Sequence, residues 1–184
     1  MATIAARPLT AAEYLLLPDT GRPTELVRGE VVPMNLPSPR HGEICCQVAY
    51  LLRRCLDDHP TGRVVTNDAG VITEHDPDTV RGPDVAYYGF QRVPQGPLPR
   101  GYLAVAPELA FEVRSRTDRW ADLHAKVAEY LRAGVLLVGV LDEATEAIHV
   151  FSPEDSPRVV AGDQELTFPG LLEHFRVPAR RFFE

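Results

Sequence analysis

The stretch Leu109–Leu141 (LAFEVRSRTDRWADLHAKVAEYLRAGVLLVGVL) changes its period twice, and those changes decide the fold. In Leu109–Arg114, Leu109, Phe111 and Val113 alternate with Ala110, Glu112 and Arg114, which predicts a strand presenting the two sets to opposite faces. Asp118–Ala133 switches to helical spacing: Trp120, Leu123, Val127, Tyr130 and Leu131 fall on one stripe, and Gly134 is the stop. Val135–Leu141 is a near-continuous apolar run, as expected of a strand buried on both faces.

Working outward, Ala147–Phe151 reads as a further strand, joined to the buried one through Asp142–Glu146. Upstream, Val64–Thr73 and Asp84–Tyr88 read as strands between loops rich in Pro and Gly. His41–Asp58 carries Ile44, Val48, Leu51, Leu52, Cys55 and Leu56 at helical spacing behind Ser38-Pro39. Thr24–Met34 (TELVRGEVVPM) reads as a hairpin turning at Arg28-Gly29. Thr10–Leu17 reads as a short helix capped by Thr10 and stopped by Pro18. In the tail, strand fragments surround Leu166–Phe168, and a helical turn is expected at Leu171–Phe175. The succession is that of an α/β (α+β) domain: a mixed central β-sheet flanked by helices, with an N-terminal helix and β-hairpin. No repeat or shift in composition divides the chain, so residues 1–184 are expected to form one domain with a core at about 41–152.

Composition narrows the function. The 184 residues are 45% hydrophobic and 24% charged, which excludes wholesale disorder. No apolar run is long enough to cross a bilayer, and Met1–Thr10 lacks the build of a signal peptide. Three cysteines (Cys45, Cys46 and Cys55) give neither a disulfide framework nor a metal knuckle, so a cytoplasmic protein is expected. The net charge of −7 argues against a protein that coats DNA non-specifically. It leaves room for an enzyme that meets phosphate through a metal held by carboxylates. Lys126 is the sole lysine among 19 basic residues. Its ammonium can shift its pKa and move a proton, which arginine cannot.

Three positions, Glu112, Asp84 and Lys126, lead the candidates for chemistry. Glu112 lies mid-strand, where a lone ionised carboxylate is costly to bury, so it is expected to be paired, for example with Arg114, hydrogen-bonded, or on a metal. Asp84 opens the strand Asp84–Tyr88. If the two carboxylates meet, like charges about 4 Å apart repel by roughly 4 kcal/mol at an effective dielectric near 20. A shared proton or a divalent cation would relieve this, and oxygen ligands suit magnesium. Lys126 sits at the edge of the helical stripe. There it either pairs with Asp122 at the surface or lays its stem along the sheet toward the carboxylates. His41, at the start of its helix, either contacts substrate or metal or bonds the hairpin. Glu25 and Glu30, on opposite arms of that hairpin, either line the site or are solvated. No nucleophile elbow, P-loop, dinucleotide fingerprint or zincin motif is present.

Arg81–Val85 (RGPDV), Glu112–Thr117 (EVRSRT) and Asp122–Lys126 (DLHAK) running on to Val135 resemble the Uma-type endonucleases of the PD-(D/E)XK, restriction-endonuclease-like superfamily. Glu25–Glu30 (ELVRGE) and Ser38–His41 (SPRH) extend the resemblance, which runs from about residue 10 to 152. The resemblance implies a restriction-endonuclease-like core. It implies Asp84 and Glu112 as ligands of Mg2+ or Mn2+, and Lys126 as the motif lysine displaced from strand to helix. Arg114 stands two residues after Glu112, where many members carry lysine, and is a second candidate for that cation. The expected function is metal-dependent hydrolysis of DNA phosphodiester bonds by a homodimer. The alternative is a catalytically inactive nuclease-fold domain that binds nucleic acid, or a homodimeric module joined through Phe175, Phe182 and Phe183.

Overall fold

In the computed structural model of the chain, which describes residues 7–184, the alternation of Leu109–Arg114 becomes an inner strand of a six-stranded sheet. The helices are α1 (Ala11–Leu15), α2 (Pro39–Asp58) and α3 (Trp120–Arg132). The strands are β1 (Thr24–Val27), β2 (Glu30–Pro33), β3 (Gly62–Thr66), β4 (Val71–Glu74), β5 (Thr79–Arg81), β6 (Val85–Gly89), β7 (Leu109–Arg114), β8 (Leu137–Asp142), β9 (Ala147–Phe151), β10 (Arg158–Ala161), β11 (Glu165–Phe168) and β12 (Leu172–Pro178). The large sheet has the order β10-β9-β8-β7-β6-β3. Its one parallel pair, β7 and β8, is the pair that α3 connects; its other neighbours are antiparallel.

Both faces are covered by helices, as the alternation requires. Leu109, Phe111 and Val113 pack with Ile44, Val48 and Leu52 of α2. Ala110 faces the other way, with Val138 and Val140, onto Leu123, Val127 and Tyr130 of α3. Glu112 shares that second face and sits among apolar neighbours. Close packing also fixes Gly139: a Cβ there would lie 2.7 Å from the Phe111 ring. Ser38 caps α2 by accepting the His41 N–H at 3.2 Å, with Pro39 in the first turn.

A second sheet, β2-β1-β5-β4, lies beside the first. Its hairpin turns at Arg28 and Gly29, both at positive φ (51° and 78°). The expected single strand Val64–Thr73 is two: β3 belongs to the large sheet and β4 to the small one. Asn67 and Asp68, at φ 66° and 53°, make the break, and both residue types tolerate this conformation. Helix α3 begins at Trp120 rather than Asp118, because the Asp118 carboxylate accepts the Ser115 N–H and O–H instead of capping a helix. Of Leu171–Phe175, expected as a helical turn, only Leu171 lies in a turn; Leu172–Phe175 is extended in β12, which pairs with β11.

The tail corrects a further expectation. Phe175, Phe182 and Phe183 are buried within the chain, in the core beneath α2, and so cannot form a dimer interface. Phe182→Ala should therefore lower stability by about 3–5 kcal/mol in urea unfolding, the usual result of emptying a buried aromatic site. A loss below about 1 kcal/mol would show the tail to be an appendage rather than core.

Candidate active site

The two sheets meet at the segment Arg81–Val85, and the strand registers decide what converges there. In the small sheet Leu26 pairs with Val80, which sets Glu25 opposite Arg81. In the large sheet Val85 pairs with Phe111, which sets Asp84 opposite Glu112. Gly82 makes the crossing possible, since a Cβ there would come within 2.7 Å of Asp68. Residues opposite one another on antiparallel strands share a face. Glu25 of the first pair and both carboxylates of the second open into one cleft of about 670 Å³, lined by Glu25, His41, Asp84, Glu112 and Lys126 among others.

Helix α3 supplies the counter-charge. Lys126 Nζ lies 3.0 Å from Glu25 Oε1 and 3.7 Å from Glu112 Oε2. One turn later, the Tyr130 hydroxyl donates to Glu112 Oε1 at 2.7 Å. Glu129 takes two bonds from Arg81, at 2.6 and 2.8 Å, while a third Arg81 nitrogen reaches Glu25 at 2.8 Å. Charges thus alternate from Glu129 through Arg81, Glu25 and Lys126 to Glu112. Beyond Glu112 the alternation fails, because the next neighbour is Asp84. Asp84 Oδ2 accepts the Val113 N–H at 2.6 Å and lies 3.4 Å from His41 Nε2.

This imbalance shapes the titration of the site. Glu112 is only 6% exposed. Burial first, and then the charge of Asp84, drive its carboxyl up to about 7, against the pull of Lys126 and Tyr130. Burial alone would lower the Lys126 ammonium, but Glu112 and Glu25 outweigh it and hold its pKa above the ordinary value. For Glu25, burial is outweighed by Lys126 and Arg81, and its carboxyl is held low. His41 is raised: burial opposes its charge, while the bond to Asp84 and the surrounding carboxylates favour it.

The donor set fits a hard divalent ion. Two carboxylates meet at a cleft wall, and among the described residues no group donates to Glu112 Oε2 or Asp84 Oδ1 within hydrogen-bond distance. Oxygen ligands beside excess negative charge are what magnesium or manganese takes. Glu112 does not pair with Arg114. That guanidinium lies 3.0 Å from Asp142, its partner in register on β8, and over the Trp120 ring, outside the cleft lining. Lys126 does not pair with Asp122, which holds Arg119 at 3.0 Å. Glu25 lines the cleft, whereas Glu30 is exposed on β2 and does not. His41 bonds no hairpin group; it bridges Asp84 and Cys45.

Arg81, Glu129 and Tyr130 went unassigned in the sequence. Glu129 and Tyr130 stand three and four residues after Lys126, the spacing of one helix face, and that was the available signal. Arg81 had none, because its role depends on the pairing of β5 with β1.

A family model described as "Putative restriction endonuclease" (Uma2) matches residues 11–180. The chain belongs to that family. None of the curated proteins matches it. Among solved structures, it is similar to a protein from Anabaena variabilis ATCC 29413 titled "putative nuclease belonging to DUF820". The identity is 18%, the TM-score 0.83, and the match covers 96% of this chain and 98% of that one. At this identity the likeness establishes the fold alone, an α+β arrangement of helices on a mixed sheet.

The raised Glu112 carboxyl has a consequence for stability. The folded protein holds its proton between the ordinary carboxylate range and about 7, so the protonated form's contribution is complete below about 4.5 and lost as pH rises through 7. Glu112→Gln, which mimics the protonated group, should leave stability at pH 4 almost unchanged. At pH 8, without divalent ions, it should add up to about 3 kcal/mol. Equal stability of the two proteins at both pH values would show that Glu112 carries no such burden.

Proposed function

We propose that the protein is a metal-dependent endonuclease hydrolysing DNA phosphodiester bonds, with Asp84 and Glu112 holding Mg2+ or Mn2+ and Lys126 as the catalytic ammonium. The observation that carries this reading is the convergence of Asp84 and Glu112 into one cleft beneath the only lysine of the chain. Family membership agrees with a nucleic-acid substrate.

The ion would supply a Lewis acid for the phosphoryl oxygen and lower the pKa of a bound water. The remaining work falls to the protein. Lys126 stays charged at neutral pH, because the carboxylates around it raise its pKa. It therefore donates hydrogen bonds and neutralises charge on the phosphate rather than removing a proton from water. Its ammonium has three donors; Glu25, at 3.0 Å, is the one carboxylate within hydrogen-bond distance, which leaves donors for the cleft. Glu25, fixed by Arg81 and by the Gly82 N–H at 3.2 Å, sets where that ammonium stands. Arg116 and Arg119 on the cleft lining offer positive charge to flanking phosphates, although the chain as a whole is acidic. Two copies acting as a homodimer would present one cleft to each strand of a duplex. Their contact must use a surface other than the buried tail aromatics.

Cleavage of plasmid DNA is expected with Mg2+ or Mn2+ and not with chelator. Asp84→Asn and Glu112→Gln should each lower the rate by about 100-fold or more, and so should Lys126→Ala, through loss of charge stabilisation. The lysine variant should still bind Mn2+. Undiminished cleavage in both carboxylate variants would refute the site, and Mn2+ binding without cleavage of any nucleic acid would leave a binding domain instead.

A further inference from the structure

The cleft holds a second donor set, different in chemistry from the carboxylate pair. His41 and Cys45 stand four residues apart on α2, so one helix face presents both. The Cys45 sulfur lies 3.4 Å from His41 Nδ1, and His41 Nε2 lies 3.4 Å from Asp84 Oδ2. One donor atom from each residue can be chosen so that all three lie within 4.8 Å of one another. None of the three side chains is exposed, and His41 and Asp84 are only 14% and 12% accessible.

We infer that His41, Cys45 and Asp84 form a binding site for zinc. An imidazole, a thiolate and a carboxylate are the ligands zinc takes, and magnesium has no use for sulfur. Bond lengths of about 2.0–2.3 Å in a tetrahedron require donor-to-donor edges of about 3.3–3.6 Å. The nitrogen–oxygen edge is already in that range. The sulfur now faces the other ring nitrogen, Nδ1, and one nitrogen must serve both partners; with donor atoms within 4.8 Å of one another, turning the imidazole or the Cys45 side chain closes the set. The thiol gives its proton to solvent as the sulfur–zinc bond forms. Three protein ligands leave the fourth position open toward the cleft, for water or a phosphate oxygen.

The two sites share Asp84. Zinc bound through His41, Cys45 and Asp84 Oδ2 sets a second dipositive charge on the carboxylate that magnesium needs, so zinc and magnesium disfavour one another. Zinc is then an inhibitor of the proposed cleavage at concentrations far below those of magnesium, because nitrogen and sulfur donors favour it. Only this inhibition rests on the nuclease reading; the binding does not.

Cobalt(II) is the probe, since it takes the same ligands and its absorption reports sulfur. Titrating the full chain with Co2+ should give a near-ultraviolet thiolate-to-cobalt band with stoichiometry of about one, removed by added Zn2+. The band should vanish in Cys45→Ser and in His41→Gln. It should persist in Cys46→Ser combined with Cys55→Ser, which removes the other two thiols. Zinc affinity should fall about tenfold or more in Cys45→Ser, with circular dichroism confirming that each variant is folded. No band in the wild-type chain, or a band that survives Cys45→Ser, would overturn the site. A band together with zinc-insensitive cleavage would overturn the inhibition and leave the binding. Absence of any cleavage would bear on the nuclease reading alone.

Discussion

A carboxylate that is 6% exposed in the middle of a sheet must be answered by other charge, and the surroundings of Glu112 are built around that requirement. Tyr130 donates to one oxygen and Lys126 stands near the other, which is enough to keep the group in place. It is not enough to balance it, because Asp84 is set opposite by the register of β6 and β7. The network from Glu129 through Arg81 and Glu25 fixes Lys126 without adding a positive charge at the Glu112–Asp84 end. The unbalanced end of an otherwise alternating chain of charges is where a cation is wanted.

The same constraint explains why the two sheets are joined as they are. Arg81 finishes the small sheet and Val85 starts the large one, with Gly82, Pro83 and Asp84 between. That short crossing couples Glu25 on one sheet to Glu112 on the other through a single lysine. A displacement of α3 along its axis would move Lys126, Glu129 and Tyr130 together, and so would disturb both partners of Glu112 and the Lys126 contact of Glu25. Burial of the C-terminal aromatics under α2 holds the opposite face, and with it the end of the helix that carries His41 and Cys45.

Much of this was legible in the sequence because the signals are local. Period-two alternation located Glu112 on the face opposite Phe111, and the run Val135–Leu141 announced a strand buried on both sides. The reading of Lys126 rested on its being the sole lysine and on its place at the edge of an apolar stripe; pairing with Asp122 was equally compatible with that spacing. Its true partners lie on two different sheets. Arg81 belongs to a three-residue strand too short to show alternation, and its partnership with Glu25 follows from β-pairing across more than fifty residues of chain. Arg114 looked equivalent to a lysine by position, yet the parallel register with Asp142 draws it away. The tail misled for a related reason: buried and exposed aromatics look alike in a sequence, and only the docking of β12 beneath α2 tells them apart.

The place of the metal ion is the most direct test of the site. A crystal of the protein soaked in manganese and measured at the manganese absorption edge gives that place without reference to any activity. An anomalous peak is expected, bonded to oxygens of both Asp84 and Glu112, with the Lys126 ammonium beside it. A peak bonded to neither carboxylate, or none in the cleft under conditions where manganese binds in solution, would contradict that site.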